Sequence, residues 1–226
     1  MREAFTDRLV ELEHRMIDHL AAAANTLMTV AVAVEETTAQ RAAMIALDAE
    51  ALRERAHHLH ADLIVLTARQ APVAADLRLL MGLIDAAHHT NLIANQFEQI
   101  SEQLWITNVG IVDRLAVAEK LARMCTLASG QVQKAAIAFH TRDLAFAQQL
   151  DRDDDTIDKL NREIFEAAAQ EELPAQQREV AFRHVLIARC LERVADNAVD
   201  IAEQAVFVMT AEVRGFSDAS QSRHRS

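Results

Sequence analysis

Glu192 and Asp196 stand four residues apart in the stretch Arg189-Cys190-Leu191-Glu192-Arg193-Val194-Ala195-Asp196-Asn197. In a helix that spacing puts both carboxylates on one face. Upstream, Asp154 and Asp158 repeat it inside the acidic run Asp151-Arg152-Asp153-Asp154-Asp155. If the two helices pack antiparallel, four carboxylates meet. An oxygen-only set of this kind suits Mg, Mn or Fe and is poor for Zn. Carboxylates at the edge of an apolar seam repel one another unless a cation joins them. That cation is either a metal or a neighbouring guanidinium, Arg189 or Arg193. The acidic run has a plainer reading as well, since acids favour solvated faces and helix N-termini.

Other chemistry is thinly represented. Glu11-x-x-His14 and Glu54-x-x-His57 have the spacing used twice in di-iron carboxylate bundles. The helical phase, with Leu9, Leu12 and Met16 inward, turns Glu11 outward, and no further lone Glu ligands are evident. His57, His58 and His60 are expected near His88 and His89 in a surface or interface role. There is no Gly-x-Ser-x-Gly, no glycine-rich phosphate loop and no Cys-x-x-Cys. The expectation is a protein that is not an enzyme. Cys125 and Cys190 fall in apolar helical patterns and read as reduced core residues. Trp105, near a helix end, reads as a packing residue.

The elements that must position these side chains are helices. The 226 residues include four Gly, two Pro and no Tyr, with 51% hydrophobic and 25% charged residues. Few turn formers and abundant Ala, Leu, Glu and Arg favour long helices with short connections. The net charge of −11 argues against nucleic acid and against an anionic membrane surface. Met1 leads straight into an amphipathic pattern, so no signal peptide is expected. The longest apolar run, Leu20 to Val34, is interrupted by Asn25 and reads as too short to insert into a membrane.

Phe5, Leu9, Leu12, Met16, Leu20, Leu27, Val30 and Val34 form a narrow stripe for a first helix ending at Thr37 and Thr38. A second helix is expected over about 39–69, with Leu52, Ala56, Leu59, Leu63 and Leu66 on one face, and Pro72 breaks the pattern. A third covers about 74–104. Then the pattern restarts, with helices over about 111–140, 143–171 and 175–211 and a break at Pro174. Ile100-Ser101-Glu102-Gln103 matches Ile201-Ala202-Glu203-Gln204 after 101 positions; Leu47-Asp48 matches Leu150-Asp151 after 103. This predicts an all-α fold of two tandem three-helix bundles related by internal duplication. Residues 1–107 are the first repeat, 108–212 the second, and 213–226 a disordered basic tail. At the 101-residue offset Asn91 stands for Glu192 and Asn95 for Asp196. The counterparts of Asp154 and Asp158 are either Ala49 and Arg53 or Glu50 and Glu54.

Leu191-Glu192-Arg193-Val194-Ala195-Asp196-Asn197-Ala198-Val199-Asp200-Ile201-Ala202-Glu203 resembles the Leu-Glu-Arg-Ile-Gly-Asp-x-Ala-x-Asn-Ile-Ala-Glu motif of the PhoU family. Arg69-Gln70-Ala71-Pro72-Val73-Ala74-Ala75-Asp76-Leu77-Arg78 resembles that family's Arg-Gln-Gln-Pro-Val-Ala-x-Asp-Leu-Arg. Met1-Arg2-x-x-Phe5 and Asp154-x-x-Ile157-Asp158 fit too. The resemblance spans about residues 1–212. It implies a cytoplasmic regulator of phosphate uptake, often a homodimer. Such a regulator acts as an adaptor between the ATPase subunit of the phosphate ABC transporter and a sensor histidine kinase, and keeps the phosphate-starvation response off. It also implies metal, often iron, on the Glu-x-x-x-Asp motif with acids of the preceding helix. Here only the second repeat matches, at Asp154, Asp158, Glu192 and Asp196, so Fe, Mn or Mg is expected there alone. The competing reading is a di-iron oxidoreductase or iron-storage bundle.

Overall fold

The computed structural model describes residues 2–69, 72–107, 117–147, 150–169 and 175–212, with the side chains at 2, 146, 151–154 and 175–177 set aside. These residues form α1 (Arg2–Glu35), α2 (Ala39–Arg69), α3 (Ala74–Thr107), α4 (Val117–Thr141), a single turn α5 (Leu144–Ala147), α6 (Leu150–Ala168) and α7 (Ala175–Thr210). Among them there is no strand, as the all-α expectation requires. The stretch expected as one helix over 143–171 is α5 followed by α6. The expected start of the fourth helix at 111, the boundary after 107 and the tail 213–226 fall on or against segments outside the described residues.

Each predicted stripe is buried. Phe5, Leu9, Leu12, Met16, Leu20, Leu27, Val30 and Val34 line the core side of α1, and Leu52, Ala56, Leu59, Leu63 and Leu66 that of α2. Thr38 caps α2 by accepting the Arg41 amide at 3.2 Å, which satisfies one of the helix's otherwise unpaired donors. Arg142 ends α4 with a left-handed φ of 55°, and its amide bonds the Ala138 carbonyl at 3.1 Å, a C-terminal stop of the αL kind. Helices α1, α2 and α3 pack on one another, and so do α4, α6 and α7; the two groups meet through α1 on α4 and α3 on α7. Ion pairs join neighbours at corresponding places: Arg8 and Arg15 reach Asp62 between α1 and α2, and Lys120 reaches Glu163 at 2.6 Å between α4 and α6.

The burial pattern fixes the register of the duplication. Leu20, Leu27 and Val34 of α1 correspond to Cys125, Val132 and Phe139 of α4, all buried and 105 positions apart. Ile45, Leu52 and Leu59 of α2 correspond in the same way to Leu150, Ile157 and Ile164 of α6. Along α3 and α7 the offset is 101, as Leu80/Ala181, Ile93/Val194 and Ile100/Ile201 show. The match of Leu47 to Leu150 is therefore corrected: Leu47 is 71% exposed and Leu150 is not exposed at all. The register differs by four positions between these two sets of helices: α2 runs ten residues past Leu59, but α6 only four past the equivalent Ile164, and the expected break at Pro174 lies outside the described residues.

Contacts across the seam come in symmetric pairs. His89 Nδ1 lies 3.4 Å from Asp200 Oδ2, and the equivalent residues Cys190 and Gln99 pair at 3.6 Å. Gly82 packs so closely on Val208 and Gln204 that an added Cβ would stand 2.6 Å from Val208 Cγ2. At the equivalent place, Arg183 donates to Gln103 at 3.2 Å. Ser129 Oγ donates to the Ala24 carbonyl at 3.0 Å. Ala24 and Ser129 are equivalent positions, and a contact between equivalents falls on a twofold axis. The two repeats are thus related by an internal pseudo-twofold.

Helix α1 is long and apolar enough to cross a bilayer by length and composition, with a mean hydropathy of 1.4 over its best window. Its apolar stripe is nonetheless buried against α2, α3 and α4.

Candidate functional site

Glu192 and Asp196 lie one turn apart on α7, on the flank away from Cys190 and Asn197, which face α3. Leu191, Val194, Ala198 and Ile201 are buried as expected. Ala188 and Ala195, expected at the margin, are in the core instead. This follows from a wide apolar arc, because α7 packs on α3, α4 and α6 at once. Glu192 keeps only 14% of its side chain exposed and pairs with Arg189 one turn back; Asp196 is exposed, and Asp158 on α6 is half-buried. Among the described residues no three His, Cys, Asp or Glu side chains gather closely enough to hold a metal ion. The side chain of Asp154 lies outside the described residues, so the four-carboxylate set is not assembled from what is described.

The first repeat is more fully described. With the register fixed, Arg53 stands for Asp158 and Ala49 for Asp154, which settles the choice against Glu50 and Glu54. The Arg53 guanidinium pairs with Glu50 and with Glu98, and its Nε donates to Asn95 Oδ1 at 3.4 Å. A fixed cation thus occupies the α2–α3 groove at the position that Asp158 holds in the second repeat. Asn91 Oδ1 is buried without a hydrogen-bond partner among the described residues. Sequence matching alone left Arg53 as one of two alternatives; the signal that finds it is the core phase of α2.

The di-iron geometry is absent from the described residues that were its candidates. Glu11 and His14 are exposed, and Glu11 pairs with Arg8 at 2.6 Å. Glu54 and His57 are exposed too. His88 and His89 touch edge-on, with ring centres 5.7 Å apart, and His89 turns into the seam, its Nδ1 2.9 Å from Asn197 Oδ1. Asn197 donates from its amide nitrogen to the Arg193 carbonyl, so its oxygen is the acceptor and His89 carries the proton on Nδ1. Trp105 is 53% exposed, which corrects its reading as a packing residue. Cys125 and Cys190 are free and buried, and burial pushes both thiols up, Cys190 to about 11. They are inert toward exchange at neutral pH.

Among the described residues two histidines are buried outside any site, His19 on α1 and His184 on α7. Burial pushes each down to about 4, and Arg15 and Arg55 add to the effect at His19. Below the ordinary histidine value of 6.5 the unfolded chain takes up protons that the folded chain refuses until about pH 4. Their contribution is therefore complete above pH 6.5 and is lost as the pH falls toward 4. The equivalent positions hold Met124 and Leu83. The double variant His19→Met/His184→Leu is expected to flatten this part of the stability profile by about 1–2 kcal/mol per site at pH 4.5. Urea midpoints at pH 7.5 and 4.5 for both proteins check it; equal slopes would assign the acid loss elsewhere.

Comparison with known proteins follows this geometry. Residues 121–205, from α4 into α7, match the PhoU domain. The chain is 27% identical over 215 residues to a phosphate-specific transport system accessory protein PhoU homolog 1 of Methanothermobacter thermautotrophicus, covering 93% of this chain and 96% of that protein. A Mycobacterium leprae protein of the same description is 25% identical over 213 residues, covering 93% and 94%. The crystal structure of the phosphate transport system regulatory protein PhoU from Streptococcus pneumoniae superposes with a TM-score of 0.81 at 20% identity, over 93% of this chain and 99% of that one. PhoU from Pseudomonas aeruginosa gives 0.73 at 19%, over 93% and 97%. At those identities the two structures establish the shared fold. Domain match, relatives along most of the length and common fold together make the chain similar to PhoU proteins over most of its length.

Proposed function

We propose that the chain is a cytoplasmic regulator of phosphate uptake. It works as an adaptor between the ATPase subunit of a phosphate ABC transporter and a sensor histidine kinase, and holds the starvation response off when phosphate is plentiful. The observation that supports this best is the likeness, over 93% of the chain, to proteins described as phosphate-specific transport system accessory proteins. An adaptor acts through its faces and not through a reaction, and the chain offers large exposed apolar side chains for docking, among them Phe165 on α6 and Phe182 on α7. It acts as a homodimer and, at a net charge of −11, without nucleic acid.

The same reading gives the second repeat a hard divalent cation, Fe, Mn or Mg, held by Asp154, Asp158, Glu192 and Asp196. What supports it is the all-oxygen chemistry of these side chains on adjacent helices α6 and α7 and the guanidinium of Arg53 at the corresponding place in the first repeat. The cation would link the two helices and shape the surface that partners meet.

Deleting the gene is expected to switch on phosphate-starvation promoters in phosphate-rich medium, and a plasmid copy restores repression. A reporter that stays off in the deletion strain, with no paralogue present, would remove the adaptor reading.

A further inference from the structure

His14 on α1 and His140 on α4 approach each other across the seam between the repeats, with ring centres 6.4 Å apart and planes inclined by 48°. Their meeting is built into the fold. Helices α1 and α4 run antiparallel about the Ala24–Ser129 contact, and this end of the seam is locked by neighbours in sequence. Glu13 accepts from Arg142 at 2.9 Å, with Glu13 largely buried. Arg142 is held in turn by the Phe139 carbonyl and lies 6.0 Å from the centre of the Phe139 ring. Both histidines are thus flanked by fixed residues while their own rings stay exposed.

The separation lies at the upper limit for two rings that share one metal ion. With a Zn–N bond of about 2.1 Å and roughly 1.1 Å from ring nitrogen to ring centre, each ligating ring centre stands about 3.2 Å from the ion. Two rings on one ion then have centres at most about 6.4 Å apart, and about 5.2 Å in tetrahedral geometry. A side-chain rotation of either exposed ring covers that difference. Imidazole nitrogen selects late first-row ions over the hard cations that carboxylates prefer, and the net charge of −11 raises the local concentration of any cation. The pseudo-twofold places Glu119 and Glu35 at the mirrored positions, so the imidazole pair exists at one end of the seam only.

We propose that His14 and His140 form a two-imidazole site for a late first-row divalent cation such as Zn(II), which clasps the first repeat to the second. Water completes the coordination, so the ion is exchangeable. The site is separate from the carboxylates of α6 and α7 in both place and ligand chemistry.

The test uses the untagged full chain, titrated with Zn(II) near neutral pH and followed by calorimetry and thermal melting. At a hundredfold excess over Kd the melting midpoint is expected to rise by roughly 5–10 °C. His14→Ala and His140→Ala should each lose that rise and one equivalent of bound Zn(II). Both side chains are exposed, so the variants fold. A His57→Ala/His58→Ala variant controls for the other surface histidines and should keep the rise. If the rise persists in both single variants, or disappears instead with Glu192→Asn/Asp196→Asn, the proposal is overturned.

Discussion

Replacing Phe97 by Ala is expected to lower stability by about 3–5 kcal/mol, the range for emptying an aromatic site in a close-packed core. Phe97 is fully buried on α3, the helix that packs on α1, α2 and α7. Its equivalent in the second repeat is Ala198. Near the axis a large residue on one side is thus matched by a small one on the other. Phe139 of α4 and Val34 of α1 repeat this with the sides exchanged. A protein of this length loses about 2–4 °C of melting temperature per kcal/mol, so the midpoint should fall by roughly 6–20 °C. The two repeats share the α1–α4 and α3–α7 seams, so the variant should still melt in one transition. A loss below about 1 kcal/mol would mean that the α3 core is not packed as described.

The Glu192→Asn/Asp196→Asn variant is expected to abolish metal binding by the second repeat while leaving the helices intact. Elemental analysis of untagged protein should find Fe, Mn or Mg in the wild type and none in the variant, with unchanged helical circular dichroism. The physical reason is charge. Carboxylates brought together repel and take up protons unless a cation stands among them, whereas two Asn side chains supply neutral, weaker oxygens. The first repeat carries Asn at both places: with Asn91 and Asn95 on α3, the positive charge in its groove is the Arg53 guanidinium, carried by the chain itself and paired with Glu50 and Glu98. The helix there is uninterrupted, so Asn at these two places costs no fold. Equal metal in wild type and variant would end the assignment to these residues.

The sequence by itself determined the helices and most of their inner faces. Helical period is a local property, so the stripe from Phe5 to Val34 and the α2 face from Leu52 to Leu66 could be read directly, and α2 was bounded correctly by Thr38 and Pro72. The duplication was legible too, but its register was not. Matching Leu47 to Leu150 compared neighbouring letters, while burial obeys helix phase: Ile45 is inward and Leu47 outward on the same turn. Only packing against other helices distinguishes them, and only that choice brings Arg53 to the place of Asp158. Ala188 and Ala195 went unassigned to the core for a related reason. Helices α3, α4 and α6 all pack on α7, and the breadth of its buried arc depends on partners distant in the chain. The seam was the part decided wholly by tertiary structure. His14 and His140, or His89 and Asp200, lie in different repeats more than a hundred positions apart, and no periodicity within one helix records which residue of another it will meet.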